Sequence, residues 1–255
     1  MKKNKKLIVA NWKMNPETVE KAKEIFRDTQ KTAKDLKNTN VVICPPFVYL
    51  SDLEKISNGG VILGAQDVFW EKSGSFTGEI SPTMLKKEGE GYVIIGHSER
   101  RELGETDEMV AKKISTALKA GLRVVLCVGE KSRDDHGEYL HLLRAQIVNS
   151  LGKLQKRYLA KLVVAYEPVW AIGKSDDEAM KPEDVHTTTI FIKKVLSEIY
   201  THKAIIDIPI LYGGSVSKNN AVDIVRGGEI QGLLVGHESR QTDKFSQLLK
   251  SVDSL

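Results

Sequence analysis

Short apolar runs rich in β-branched residues recur along the whole chain. Each run is hydrophobic at consecutive positions rather than at alternate ones, which indicates strands buried on both faces, as in a parallel sheet covered by helices. The runs lie at residues 7–10, 41–44, 61–65, 92–95, 124–128, 162–166, 208–212 and 233–235.

Between the runs, apolar residues recur three and four positions apart, which is the spacing of one face of an amphipathic helix. The pattern is clearest at residues 19–36 and returns at 110–118, 192–199 and 245–252. Pro16, Pro82 and Pro182 stand where we expect helices to begin, because the fixed φ of proline suits a first helical turn.

Eight strands alternating with helices, without a linker-like stretch, predict an α/β protein with a single closed (β/α)₈ barrel over residues 1–255. A doubly wound open sheet is the second choice, because eight even repeats with no break in composition favour closure. In such a barrel the chemistry belongs at the carboxyl ends of the strands.

Composition narrows the class of protein. The 255 residues are 41% hydrophobic and 28% charged, which excludes a disordered chain. The net charge of +4 equals the four lysines at positions 2, 3, 5 and 6, so we expect a solubilising basic start and no nucleic-acid partner. No apolar run approaches the roughly 18 residues of a membrane helix, so no membrane association is expected.

The two cysteines, Cys44 and Cys127, lie far apart and inside apolar runs. This placement predicts reduced, buried thiols rather than a disulfide, and together with the lack of a signal-peptide pattern it favours the cytoplasm.

Charged and polar side chains follow three of the predicted strands. Asn11 and Lys13 follow the first strand, and two residues apart on extended chain they would share one face. His97 follows the fourth strand, and Glu167 follows the sixth beside Pro168 and an indole, where partial desolvation would raise its pKa toward that of a general base.

Glycine-rich turns follow the seventh and eighth strands, at residues 213–217 and at Gly236 with His237. Such turns expose backbone N–H groups at the position where these barrels commonly bind phosphate. A base, an electrophile, a lysine and a phosphate site together suit proton transfer beside the carbonyl of a small phosphorylated molecule.

Four motifs, in order and spacing, resemble the signatures of the triosephosphate isomerase family, and the resemblance extends from about Leu7 to the last helix. The motifs are Asn11-Trp12-Lys13-Met14-Asn15, Gly96-His97-Ser98-Glu99-Arg100-Arg101, Ala165-Tyr166-Glu167-Pro168-Val169-Trp170-Ala171-Ile172-Gly173 and Tyr212-Gly213-Gly214-Ser215-Val216.

The resemblance implies interconversion of dihydroxyacetone phosphate and D-glyceraldehyde 3-phosphate through an enediolate, in glycolysis and gluconeogenesis, with no metal or organic cofactor. Glu167 would be the base, and His97 would polarise the carbonyl as a neutral imidazole whose pKa is lowered by the following helix. Lys13 would supply positive charge, and Asn11 would hydrogen-bond the substrate. The phosphate would bind amides of Gly173, Ser215, Gly236 and His237. Supporting residues would be Ser98, Glu99, Glu130, Tyr166, Trp170 and Tyr212.

The same resemblance identifies the stretch from Pro168 to about Lys181 as a mobile lid whose indole, Trp170, exchanges between Tyr166 and Glu130. Two departures stand out. The lid continues as Lys174-Ser175-Asp176-Asp177-Glu178-Ala179-Met180-Lys181 instead of the usual threonine-glycine-lysine run, and it is about two residues longer. The expected glycine pair after the eighth strand is Gly236-His237. For the second departure we predict an ordinary negative φ at His237, with its ring turned toward the rim.

A long loop that begins at Gln66 and ends at Glu79 follows the third strand. In the family the matching loop enters the neighbouring subunit, with its threonine, here Thr77, near Asn11 and Lys13 of the partner. We expect its aromatic residues to be covered rather than free in water, which predicts a homodimer; an aromatic loop folded onto its own barrel is the alternative.

Two other functions fit parts of the pattern. A Schiff-base aldolase on the same fold would use Lys13 as a nucleophile, which requires a desolvated lysine that borohydride traps with substrate. A binding scaffold would need none of Lys13, His97 and Glu167, so their joint presence argues against it.

Overall fold

The computed structural model describes residues 5–89, 91–134 and 136–255. Within them, eight parallel strands follow one another in chain order and close into a barrel, because β8 pairs with β1 as well as with β7. The strands are β1 (Lys6–Asn11), β2 (Thr39–Cys44), β3 (Val61–Ala65), β4 (Tyr92–Ile95), β5 (Arg123–Val128), β6 (Leu162–Tyr166), β7 (Ile210–Tyr212) and β8 (Gly232–Val235). The predicted closed (β/α)₈ barrel is confirmed, and the open sheet is excluded.

Helices cover the outside of the barrel. The α-helices are α1 (Val19–Lys34), α2 (Leu50–Lys55), α3 (Pro82–Lys87), α4 (Ser98–Glu102), α5 (Asp107–Lys119), α6 (Glu138–Leu151), α7 (Pro182–Ile199), α8 (His202–Ile205), α9 (Ala221–Gly227) and α10 (Thr242–Asp253). Short 3₁₀ helices lie at Phe47–Tyr49, Lys156–Lys161, Val169–Ala171, Asp176–Glu178 and His237–Arg240.

Two of the three prolines mark helix starts as predicted. Pro82 and Pro182 are the first residues of α3 and α7. The prediction for Pro16 is wrong: α1 begins at Val19, because the hydroxyl of Thr18 accepts a hydrogen bond from the amide of Lys21 and caps the helix there.

Alternate residues of the strands point to opposite sides, which explains the continuous hydrophobic runs. One set fills the barrel interior, including Val9, Cys44, Ile94, Cys127 and Ala165. The neighbouring residues face the layer between strands and helices. Both cysteines are buried and free, as predicted, and burial raises the pKa of each thiol.

The basic start is only partly described. Lys2 and Lys3 lie outside the described residues. Lys6 belongs to β1 rather than to a tail, and its ammonium donates a hydrogen bond to the carbonyl of Ile230 at 3.1 Å. Across the described part of the chain, every helix is too short or too polar to cross a membrane.

Candidate active site at the carboxyl ends of the strands

Glu167 lies at the mouth of the barrel, two residues beyond Ala165 of the barrel interior, and strand alternation directs its side chain inward. Only 2% of its surface is exposed. One carboxylate oxygen lies 3.0 Å from Nε2 of His97, and the other accepts a hydrogen bond from the amide of Ser98 at 3.1 Å. A Cβ at Gly213 would come within 3.0 Å of Cγ of Glu167, so the glycine leaves room for this carboxylate.

His97 reaches the site through a change of backbone direction. Gly96 has a φ of 76°, a left-handed conformation that favours glycine, and it interrupts the alternation of β4 so that the next side chain enters the site. Nδ1 of His97 accepts a hydrogen bond from the amide of Glu99 at 3.2 Å, at the start of α4. A backbone amide can only donate, so Nδ1 carries a lone pair and the proton lies on Nε2, facing Glu167.

The pKa values of His97 and Glu167 shift in the directions opposite to those expected from the sequence. Burial lowers the pKa of His97, but the adjacent Glu167 carboxylate outweighs burial and raises it, whereas the sequence predicted a lowered pKa. Burial raises the pKa of Glu167, but His97 and the Ser98 amide outweigh it and lower it, whereas the sequence predicted a raised pKa. Both expectations considered only local surroundings, and the direct contact between the two side chains reverses them.

Asn11 and Lys13 meet at the end of β1 in a geometry that the sequence did not predict. Lys13 has a φ of 54°, so the chain is left-handed there rather than extended. The side-chain oxygen of Asn11 accepts a hydrogen bond from the Lys13 amide at 2.9 Å, which leaves the Asn11 amide group facing the cavity as a donor. The ammonium of Lys13 lies 2.8 Å from the carboxylate of Glu99, two residues beyond His97 in the chain.

A cavity of about 430 Å³ opens above these side chains. Its wall includes the four residues predicted to bind phosphate, which are Gly173, Ser215, Gly236 and His237. They come from the lid and from the turns after β7 and β8, and the structure brings them together with Asn11, Lys13, His97 and Glu167. Two lysines, Lys13 and Lys174, also line the cavity, and its size together with these cations suits a small anionic molecule.

His237 departs from the expected glycine without backbone strain. It opens the 3₁₀ helix His237–Arg240 and is absent from the described non-glycine residues with positive φ, which confirms the negative φ predicted for it. Its exposed ring contacts the guanidinium of Arg240 at 3.1 Å and the side-chain amide of Gln241 at 2.6 Å. Both ring nitrogens of His237 thus contact side chains three and four residues further along the chain.

The amino-terminal end of the lid rests on a buried carboxylate. Glu130 has no exposed surface, and one of its oxygens accepts hydrogen bonds from the Tyr166 hydroxyl at 2.7 Å and from the Trp170 indole at 2.9 Å. Sequence reasoning missed Arg133, whose Nε also donates to this oxygen at 3.0 Å and whose guanidinium lies 5.6 Å from the centre of the Trp170 ring. A buried carboxylate needs a countercharge, and that requirement is the signal that could have pointed to a nearby arginine.

Tyr212, the last residue of β7, is fully buried at this end of the barrel. Its ring centre lies 6.4 Å from that of Tyr166, and burial raises the pKa of its hydroxyl. The two tyrosine rings therefore lie close together, buried at the end of the barrel where the lid begins.

The long loop after β3 is anchored at its base and exposed along its length. Gln66 donates hydrogen bonds to the carbonyls of Lys13 and Cys44 at 2.8 and 2.9 Å. Residues 71–79 are exposed, and the ring of Phe76, 45% exposed, packs at 4.7 Å against that of the buried Phe69. The loop is thus positioned by the same strand end that presents Lys13.

The fold and the site together define the class of protein. The closed eight-stranded barrel carries at one mouth a buried carboxylate, a histidine donor, a lysine and a cavity of about 430 Å³. These features define a barrel enzyme that moves protons on a small phosphorylated compound. Comparison with known proteins agrees. The family model described as triosephosphate isomerase matches residues 6–252.

Curated relatives cover almost the whole chain. The triosephosphate isomerase of Dictyoglomus thermophilum is 41% identical over 250 residues, which are 97% of this chain and 99% of the relative. That of Geobacter metallireducens is 41% identical over 246 residues, 95% of this chain and 97% of the relative. The chain belongs to the triosephosphate isomerase family. It is an enzyme, an isomerase of triose phosphates, and glycolysis follows from that activity.

Proposed function

We propose that the cavity at the barrel mouth interconverts dihydroxyacetone phosphate and D-glyceraldehyde 3-phosphate through an enediolate, with Glu167, His97 and Lys13 as catalytic residues. The observation that carries the proposal is the 3.0 Å contact between the Glu167 carboxylate and Nε2 of His97, in a cavity lined by the candidate phosphate-binding amides. A base and a proton donor that face each other across one space can act on adjacent carbons of one substrate.

In this proposal Glu167 removes the proton from the substrate carbon next to the carbonyl. Its burial excludes water, so the carboxylate that leaves His97 to meet substrate becomes a stronger base. His97 donates Nε2–H to the carbonyl oxygen as negative charge develops there, while the Glu99 amide keeps Nδ1 unprotonated. Contact with Glu167 raises the pKa of His97, so a substrate that separates the two side chains removes this effect and favours the neutral ring as the donor.

Lys13 and Asn11 serve binding and charge stabilisation. The ammonium of Lys13 supplies the positive charge among the cavity residues at β1, and its contact with Glu99 sets its position. The side-chain oxygen of Asn11 already accepts a hydrogen bond from the Lys13 amide, so Asn11 donates to substrate through its side-chain NH₂ group. Amides of Gly173, Ser215, Gly236 and His237 bind the phosphate, and Ser98, Glu130, Tyr166, Trp170 and Tyr212 position the base and the lid.

We further propose that residues 1–255 form one domain, that the enzyme works in the cytoplasm, and that it is a homodimer through the loop from Gln66 to Glu79. Exposed apolar side chains support the dimer. They occur on the connections after β1, β2 and β3, which are neighbouring strands of the barrel. They are Met14 (93% exposed), Val48 (77%), Phe76 (45%) and Met84 (56%). Exposed apolar side chains on neighbouring connections are the kind of surface that a second copy would cover.

An assay with glyceraldehyde 3-phosphate, coupled to reduction of the dihydroxyacetone phosphate formed, tests the activity. Turnover that is lost in Glu167→Gln, with unchanged thermal unfolding, is the expected result; turnover that persists would refute the proposed base. Mass measurement by light scattering tests the dimer. Phe76→Glu is expected to shift the protein toward the monomer mass, whereas the same change at Ile190, an exposed residue of α7, is the matched control and is expected to leave the mass unchanged.

A further inference from the structure

The lid differs from the family pattern most strongly at its centre, and there it touches the loop after β7. Asp176 begins the 3₁₀ helix Asp176–Glu178 of the lid. One oxygen of its carboxylate accepts a hydrogen bond from the side-chain amide of Asn219 at 2.9 Å, and the other accepts one from Asn220 at 3.4 Å.

The loop that receives Asp176 is the one that presents Ser215 to the phosphate. The side-chain amide of Asn220 also donates to the carbonyl of Ser215 at 3.2 Å, and its oxygen accepts from the amide of Ser217 at 2.9 Å. Asn220 therefore connects the lid carboxylate directly to the backbone of the phosphate-binding turn. Asn219 makes its side-chain hydrogen bond to Asp176.

The carboxylate of Asp176 lies where its negative charge could oppose the binding of a phosphate. Its side chain borders the same cavity as Gly173 and His237, where a free carboxylate would repel a phosphate. Instead, both oxygens are turned onto neutral amide donors, and hydrogen bonds from Asn219 and Ser217 lower the pKa of Asp176. The carboxylate thus stays ionised at neutral pH while its charge is directed at the loop.

Another lid carboxylate behaves differently. Glu178, in the same short helix, accepts a hydrogen bond from the Ser175 hydroxyl at 3.0 Å and lies 3.5 Å from the Lys174 ammonium. Both of these partners belong to the lid itself. Glu178 therefore provides the same charge on the same segment without the connection to the loop after β7.

We propose that Asp176 is a positioning residue that fastens the lid, through Asn219 and Asn220, to the loop that carries Ser215. The inference rests on the proposed function of this cavity. Its consequence is chemical. If the lid is not held, water reaches the enediolate, the carbon–oxygen bond to phosphate breaks, phosphate leaves with the bonding electrons, and the enol that remains tautomerises to methylglyoxal.

The experiment compares Asp176→Ala, Asn219→Ala and the double variant with the parent, and uses Glu178→Ala as the matched control. For each we would measure KM and kcat with glyceraldehyde 3-phosphate, Ki for inorganic phosphate, and the methylglyoxal formed per isomerisation. Loss of a charge-assisted hydrogen bond between exposed groups is expected to raise KM and Ki about three- to tenfold. The change in kcat is expected to be smaller than the change in KM, and the methylglyoxal fraction is expected to rise.

The double variant is expected to be no worse than Asp176→Ala, because the contact that Asn219→Ala removes is already lost in Asp176→Ala. Glu178→Ala is expected to match the parent. Unchanged or tighter phosphate binding in Asp176→Ala would overturn the proposal, as would additive effects of the two single changes or an equal loss in Glu178→Ala. A parent protein without isomerase turnover would instead contradict the proposed function, so the two failures are distinguishable.

Discussion

Removal of one methylene from Glu167 tests whether the position of this carboxylate determines the rate. In Glu167→Asp the charge is kept and the carboxylate withdraws along the side chain by about 1 Å, the length of the missing methylene along that direction. The carboxylate now lies 3.0 Å from Nε2 of His97 and 3.1 Å from the amide of Ser98. The withdrawal lengthens these contacts by up to about 1 Å, which weakens or breaks the hydrogen bonds.

The same displacement separates the base from the substrate carbon. When orientation governs proton transfer, a misplacement of about 1 Å costs on the order of 10²-fold in rate. We therefore expect kcat of Glu167→Asp to fall by about that factor or more, which corresponds to roughly 2.7 kcal/mol in the activation free energy. KM is expected to change much less, because three of the four candidate phosphate-binding residues lie on the turns after β7 and β8.

The assay is steady-state turnover of glyceraldehyde 3-phosphate in the parent and the variant, with thermal unfolding measured on the same samples. Glu102→Asp is the matched control, since it removes one methylene from an exposed carboxylate on α4 near the site. It is expected to keep full activity. A near-normal kcat in Glu167→Asp, with folding unchanged, would refute the assignment of Glu167 as the base.

Three further predictions follow from the same structure. In the unliganded enzyme, an NMR titration of the His97 ring is expected to give a pKa above its ordinary value, and Glu167→Gln is expected to lower it; a pKa already below the ordinary value in the parent would contradict the role given to the carboxylate. His237→Gly is expected to leave KM for substrate and Ki for phosphate within about twofold at two pH values, because the contact needs only the backbone amide; a strong loss of phosphate affinity at both would make the ring a ligand. Asp253 accepts hydrogen bonds from the two amides before β2 at 3.0 and 2.7 Å, and although burial opposes it, these bonds lower its pKa. The stabilisation from ionised Asp253 is therefore present above the pKa of the unfolded state and lost as the pH falls through the pKa of the folded state. Asp253→Asn is expected to lower the free energy of unfolding by about 1 kcal/mol at pH 7. In denaturant titrations, the difference from the parent is expected to shrink below about pH 4.

Local patterns were sufficient for the strands and for the helices α1, α5, α7 and α10, but not for the shorter helices or for α6. The predicted bounds of β3, β4 and β6 agree with the structure, because a buried parallel strand leaves a continuous apolar run that polar turns terminate at both ends. β7 begins at Ile210, two residues later than predicted, because Pro209 has no amide hydrogen to donate to a neighbouring strand. The apolar run therefore marked the buried segment correctly but overestimated the length of the hydrogen-bonded strand.

The sequence by itself determined the barrel and the identity of the side chains at its mouth, because strand alternation and the carboxyl-end rule are local properties repeated along the chain. Only the tertiary structure decided how these side chains act on one another. The orientation of Lys13 and of the residue after Gly96 depends on single left-handed backbone angles. The contact that reverses the expected pKa directions of His97 and Glu167 joins residues that are far apart in the chain. The same is true of the hydrogen bond from Asn219 to Asp176. Electrostatic energies depend on distances of a few ångströms between such groups, and those distances are set by the closure of the barrel, not by the spacing of residues in the sequence.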